Sequence, residues 1–101
     1  MSEKSMSVQE LQADIAEWAD RLNPHRTALS IIAKMLEELG ELIASDRQDD
    51  PLELADVLIL ALDLAHIKGI DLTDAVQRKM RVNRHRVWRI ADNGAMKHVS
   101  A

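Results

Sequence analysis

Apolar positions recur at helical intervals in four segments, each bounded by capping or breaking residues. Leu11, Ile15, Trp18 and Leu22 stand four, three and four apart, which predicts a helix with one buried stripe. Ser7-Val8-Gln9-Glu10 reads as a capping box, so this helix is expected from there to about Leu22. Asn23-Pro24 breaks the chain, with Asn23 as cap and Pro24 at the first position of a second helix running to about Ala44. Ser45 to Asp50 is polar and reads as a loop. Asp50-Pro51-Leu52-Glu53 opens a third helix, with Asp50 as cap, Pro51 at N1 and Glu53 at N3, and Gly69 closes it as C′. Asp71 caps a fourth helix from Leu72 to about Ile90, which Asn93-Gly94 ends. Residues 1–6 and 94–101 are expected to be flexible ends of a single domain, 1–101.

The third segment breaks the amphipathic pattern. Leu54, Ala55, Val57, Leu58, Ile59, Leu60, Ala61, Leu62, Leu64 and Ala65 cover almost its whole circumference. A helix apolar all round is buried all round, and three short neighbours can hardly enclose it. The expectation is an all-α, four-helix bundle assembled as a homodimer or homotetramer through the remaining face.

Composition narrows the chemistry. The 101 residues are 47% hydrophobic and 30% charged, which is globular. There is no Phe, Tyr or Cys, so the core is aliphatic, and disulfides, thiolate zinc sites and cysteine nucleophiles are excluded. Trp18 and Trp88 read as core by default. No apolar run reaches the ~18–20 residues of a membrane span, and Met1 to Ser7 carries no signal-peptide core. A cytoplasmic protein is expected. The net charge of −4 conceals an asymmetry: residues 1–77 hold 6 basic and 16 acidic side chains, residues 78–101 hold 7 and 1.

The acids interrupt apolar helices. Glu38 and Glu41 stand three apart on the second helix, and Glu53 and Asp56 repeat the spacing on the third. An antiparallel pair would bring both acidic faces together. Four carboxylates in one groove repel unless protonated or bound to a cation, and an all-oxygen set suits Mg²⁺, with Mn²⁺ as a possible substitute. At the basic end Lys79, Asn83 and Arg86 form one stripe at i, i+4 and i+7, suited to phosphate, sugar or base. An indole such as Trp18 can stack on a base, and His25 or His85 can approach a ligand. Asp63 and His66 stand three apart, as acid and His do in di-iron bundles, but the pair occurs once.

The run Lys34-Met35-Leu36-Glu37-Glu38-Leu39-Gly40-Glu41-Leu42, then Glu53-Leu54-Ala55-Asp56-Val57-Leu58-Ile59, then Gly69-Ile70-Asp71-Leu72, then Lys79-Met80 with Asn83 and Arg86, resembles the MazG-like all-α nucleotide pyrophosphohydrolases. The likeness covers roughly residues 15–90. It implies a MazG-like four-helix fold and Mg²⁺-dependent hydrolysis of a nucleoside triphosphate, often a deoxynucleotide, to the monophosphate and pyrophosphate. It implies metal binding by Glu38, Glu41, Glu53 and Asp56, and phosphate or nucleotide contacts for Lys79, Asn83 and Arg86. Trp18 and His25 fall in the segment that lines the base pocket in relatives. Glu37 is either the base that takes a proton from the attacking water or a residue that orients it. The chain departs from the pattern in its short gap between the two acidic motifs, in Val87-Trp88 where relatives often carry Tyr-Pro, and in Asp63 at a position often apolar. Asp63 reads as an outer-sphere acid.

Two other classes fit parts of the sequence. A non-catalytic helical nucleic-acid binder would use the basic fourth helix, but the acidic body opposes it and nucleic acid is not the expected partner. A di-metal carboxylate bundle would use the acids, but it finds one Asp–His pair where two are needed.

Overall fold

The computed structural model describes residues 5–99. Four helices, α1 (Val8–Leu22), α2 (Ala28–Ala44), α3 (Asp50–Ile67) and α4 (Leu72–Arg84), precede a two-stranded hairpin of β1 (Trp88–Ile90) and β2 (Met96–His98). The expected helices are all present, so the chain is mostly helical, with one small addition.

The Ser7 capping box forms: Glu10 N–H donates to Ser7 Oγ at 3.1 Å, and Ser7 N–H donates to Glu10 Oε1 at 3.0 Å. The buried stripe of α1 is rotated from expectation. Ala16 and Ala19 are buried, Leu11 and Ile15 are half-buried, and Trp18 and Leu22 face solvent. Small side chains let α1 approach α3 closely, where Ala65 is also buried. Trp18 at 55% exposure and Trp88 at 40% both lie outside the core, contrary to expectation.

α2 starts later than expected. Asn23 closes α1 instead, its N–H donating to Ala19 O at 2.9 Å, while its side chain accepts from His25 N–H at 3.2 Å. These bonds hold Asn23-Pro24 in a turn, and Thr27 caps α2 by exchanging bonds with Ser30. α3 starts one residue early, with Asp49 at the cap position and no side-chain capping bond. Glu53 is thereby moved out of N3 and keeps its carboxylate for other partners. The C-terminus of α3 is as expected. Gly69 takes φ 68°, and Gly69 and Ile70 N–H donate back to His66 O and Ala65 O, closing a Schellman motif.

α3 lies between α1 and α2. The short turn 45–49 makes α2 and α3 antiparallel neighbours. Asp71 caps α4 through Asp74 N–H, and Gln12 of α1 clasps the α3–α4 turn at Ile70 O and Leu72 N–H. α4 leans on α1. It stops at Arg84, six residues short of the expected end. The Asn93-Gly94 signal, read as a helix stop, closes the hairpin instead: Gly94 takes φ 87°, and Trp88 pairs with His98, Arg89 with Lys97 and Ile90 with Met96. Residues 94–99 of the expected flexible end belong to this hairpin, while residues 1–4, 100 and 101 lie outside the described residues. Among the described residues, no helix is long and apolar enough to cross a membrane.

Candidate active site

The two acidic motifs meet through three of their four acids. Glu38 on α2 and Glu53 and Asp56 on α3 each bring a carboxylate oxygen within 4.8 Å of the others. Glu38 is 7% exposed, Glu53 is half-buried and Asp56 opens to solvent, so the cluster is a groove with one wet side. Glu38 Oε2 and Glu53 Oε2 are buried without any hydrogen-bond partner. A buried carboxylate oxygen left bare is costly, and two of them in one cluster of acids fit a cation. The donors are all oxygen, which suits a hard divalent ion.

Glu41 stands beside the three. Hydrogen bonding to Glu38, then the charge of Glu38, burial and the charge of Glu53 together push its carboxyl above the ordinary range. Lys34 is the local counter-charge, 3.2 Å from Glu37 Oε1 and 3.3 Å from Glu38 Oε1, and these partners raise its pKa, Glu37 first. Glu37 is mostly exposed and pairs with Lys34, outside the cluster of three. The i+3 and i+4 spacing of Lys34 to the two acids carries this pairing in the sequence, although Lys34 stands outside the expected site residues.

Asp63 does not serve the cluster as an outer-sphere acid. It is buried two turns along α3 in a bidentate pair with Arg26, a residue the sequence reading passed over. His66 turns to Asp20 instead, with Nε2 3.3 Å from Oδ2, so Asp63 and His66 form no joint ligand set. The observation favours an oxygen-only metal site over a di-iron-type bundle.

The basic stripe is interrupted. Lys79 and Asn83 lie on α4, while Arg86 follows its end. Among the described residues, none of the three makes an ion pair or hydrogen bond with the four acids. Asn83 Oδ1 is buried and unpartnered, and Trp88 Nε1–H donates to Asn83 O at 2.8 Å. The hairpin thus sets Trp88 in a groove with Met80, Asn83, Arg84 and Met96. Trp18 stands exposed on α1, and His25 stands exposed in the α1–α2 turn.

Residues 11–101 match the family model of the dATP/dGTP pyrophosphohydrolases. The chain belongs to that family. A dATP/dGTP diphosphohydrolase of Cyanophage S-2L is 61% identical over 93 residues, covering 92% of this chain and 89% of the relative. One of Salmonella phage PMBT28 is 42% identical over 93 residues, and there the match spans 32% of a longer protein. The Cyanophage S-2L MazG-like pyrophosphohydrolase, solved with dGDP and three catalytic Mn²⁺ ions per active site, superimposes with a TM-score of 0.87 at 59% identity, covering 95% of this chain and all of that one. As a dATP/dGTP pyrophosphohydrolase family member, the chain is a nucleotide pyrophosphohydrolase with a MazG-like helical fold and a divalent-metal site.

Proposed function

We infer that the chain hydrolyses the purine deoxynucleoside triphosphates dATP and dGTP to the monophosphate and pyrophosphate, with Mg²⁺ as the working ion and Mn²⁺ as a substitute. The observation that carries this reading is the cluster of Glu38, Glu53 and Asp56, in which Glu38 and Glu53 each keep one buried oxygen without a partner. The names of the two phage relatives supply the substrate class.

Glu38, Glu41, Glu53 and Asp56 hold the ion. A divalent ion in this position withdraws charge from a phosphoryl group and acidifies water. Glu37, exposed beside Glu38 and paired with Lys34, accepts a proton from the attacking water or orients it in this reading. Lys79 and Arg86 neutralise phosphate charge as pyrophosphate departs, and Asn83 offers an amide to the nucleotide. Trp18 and His25 line the base side.

The active form is a homo-oligomer. Leu29, Ile32, Leu36, Leu39 and Ile43 of α2 are 39–87% exposed and stand three, four, three and four apart, the spacing of a helix-pairing seam. On α3, Leu52, Leu54, Leu58 and Ile67 are exposed as well, so the face expected to pair remains open. The radius of gyration is 16.1 Å, against about 13 Å for a compact chain of this length.

The test is a panel of all canonical and several modified nucleoside triphosphates with Mg²⁺, reading both products. Purine deoxynucleotides should give monophosphate and intact pyrophosphate, and chelator should stop turnover. Release of orthophosphate with a diphosphate, or turnover in excess chelator, contradicts the reading.

A further inference from the structure

Arg26 and Asp63 are 37 residues apart and meet through two hydrogen bonds, the one bidentate ion pair among the described residues. Arg26 Nε–H donates to Asp63 Oδ2 and Nη2–H to Oδ1, each at 2.7 Å, and both side chains are 7% exposed. The rest of the guanidinium is also engaged, with Nη2 2.9 Å from Asp20 Oδ1 and Nη1–H donating to Asn23 O at 3.1 Å. One cation therefore ties the end of α1, the entry to α2 and the C-terminal part of α3.

Its position along α3 is informative. Asp63 and Asp56 are seven residues apart, two turns on one face, or about 10 Å. On the facing helix Ile31 and Glu38 are also seven apart, and both are buried. Because α2 and α3 are antiparallel, the ion pair lies near one end of their contact and the acid cluster near the other.

α3 needs such a device. It is apolar on nearly every side, and hydrophobic burial has no direction, so its pattern does not specify which face meets α2. A bidentate fork admits one rotation and one axial offset. The mutual repulsion of Glu38, Glu41, Glu53 and Asp56 also favours any rotation that separates them.

We propose that the Arg26–Asp63 ion pair fixes the rotation and register of α3 against α2, and thereby holds Glu53 and Asp56 opposite Glu38 for the divalent ion. Arg26 and Asp63 are positioning residues that touch neither metal nor nucleotide. This rests on the acid cluster being the metal site.

The experiment replaces the pair by apolar residues of similar size, Arg26→Met with Asp63→Leu, which removes direction while leaving no buried charge unpaired. Folding is checked by circular dichroism and melting, and Mn²⁺ affinity by calorimetry on the full chain. A folded double variant with Mn²⁺ affinity weakened about tenfold or more, with kcat falling and the metal requirement rising, is the expected result. Wild-type Mn²⁺ affinity in the folded double variant overturns the proposal and leaves the pair as packing only. If the double variant melts below the assay temperature, Arg26→Lys decides. It keeps the charge but loses the fork, so weakened Mn²⁺ binding is expected and unchanged binding overturns the proposal. Wild-type protein that binds no Mn²⁺ refutes the metal site itself, a separate outcome.

Discussion

Neutralising Asp56 separates its possible roles without any substrate. Asp56→Asn keeps the volume and removes one charge from the cluster. Its carboxylate oxygen lies within 4.8 Å of those of Glu38 and Glu53. At that separation two unit charges repel by about 0.9 kcal/mol in bulk-water dielectric. Asp56 is exposed and has no ion pair among the described residues, so salt screening lowers the two-neighbour sum to roughly 1 kcal/mol. Metal-free Asp56→Asn should therefore be as stable as wild type or melt up to about 4–8 °C higher. Metal reverses the order. At an ion concentration 100 times the wild-type Kd, binding to the folded state adds about 2.7 kcal/mol, and a variant whose Kd has risen 100-fold gains only about 0.4 kcal/mol. Thermal melts of both proteins at one protomer concentration, in chelator and in excess Mg²⁺ or Mn²⁺, should show the curves crossing. Destabilisation in chelator with an undiminished response to metal would refute the reasoning and make Asp56 a structural residue.

Lys79→Ala and Arg86→Ala should each lower kcat/KM by about 2 kcal/mol, roughly thirtyfold, through loss of charge-assisted phosphate contacts. Arg89→Ala, on β1, should be near neutral in the same steady-state assay, and the reverse ranking would misplace the phosphates. The folded state raises the Glu41 pKa, so that group stabilises the metal-free protein below its ordinary range near 4.5, and this contribution is lost as pH rises through its folded pKa. Chelator-treated wild type should accordingly lose stability from pH 4.5 upward relative to Glu41→Gln in paired denaturation series, and parallel curves would count against the Glu38–Glu41 contact. Leu36→Glu and Ile43→Glu should dissociate the oligomer in sedimentation velocity, and an unchanged species would move the interface off α2.

What the sequence made legible was local. The Ser7 and Asp71 caps, the Gly69 terminus and the meeting of the two acidic motifs follow from spacings of three or four residues along single helices. The α2 start was misread because Asn23-Pro24 satisfies a capping pattern, while the bonds that make it a turn come from Ala19, His25 and Arg26. The hairpin went unseen because three-residue strands carry no measurable alternation, and Val87-Trp88-Arg89-Ile90 extends a helical pattern equally well. Arg26 was invisible for another reason. Its partner is 37 residues away, and no local period links a turn residue to a helix interior. The same blindness made Asp63 look available to the metal.

Lys34 gives the acid cluster a counter-charge on one flank. Its ammonium sits 3.3 Å from Glu38 Oε1 and 3.2 Å from Glu37 Oε1, while the other carboxylate oxygen of Glu38 stays bare. The metal-free protein thus carries part of its own counter-salt, which offsets some of the repulsion among the acids and leaves their bare oxygens uncovered.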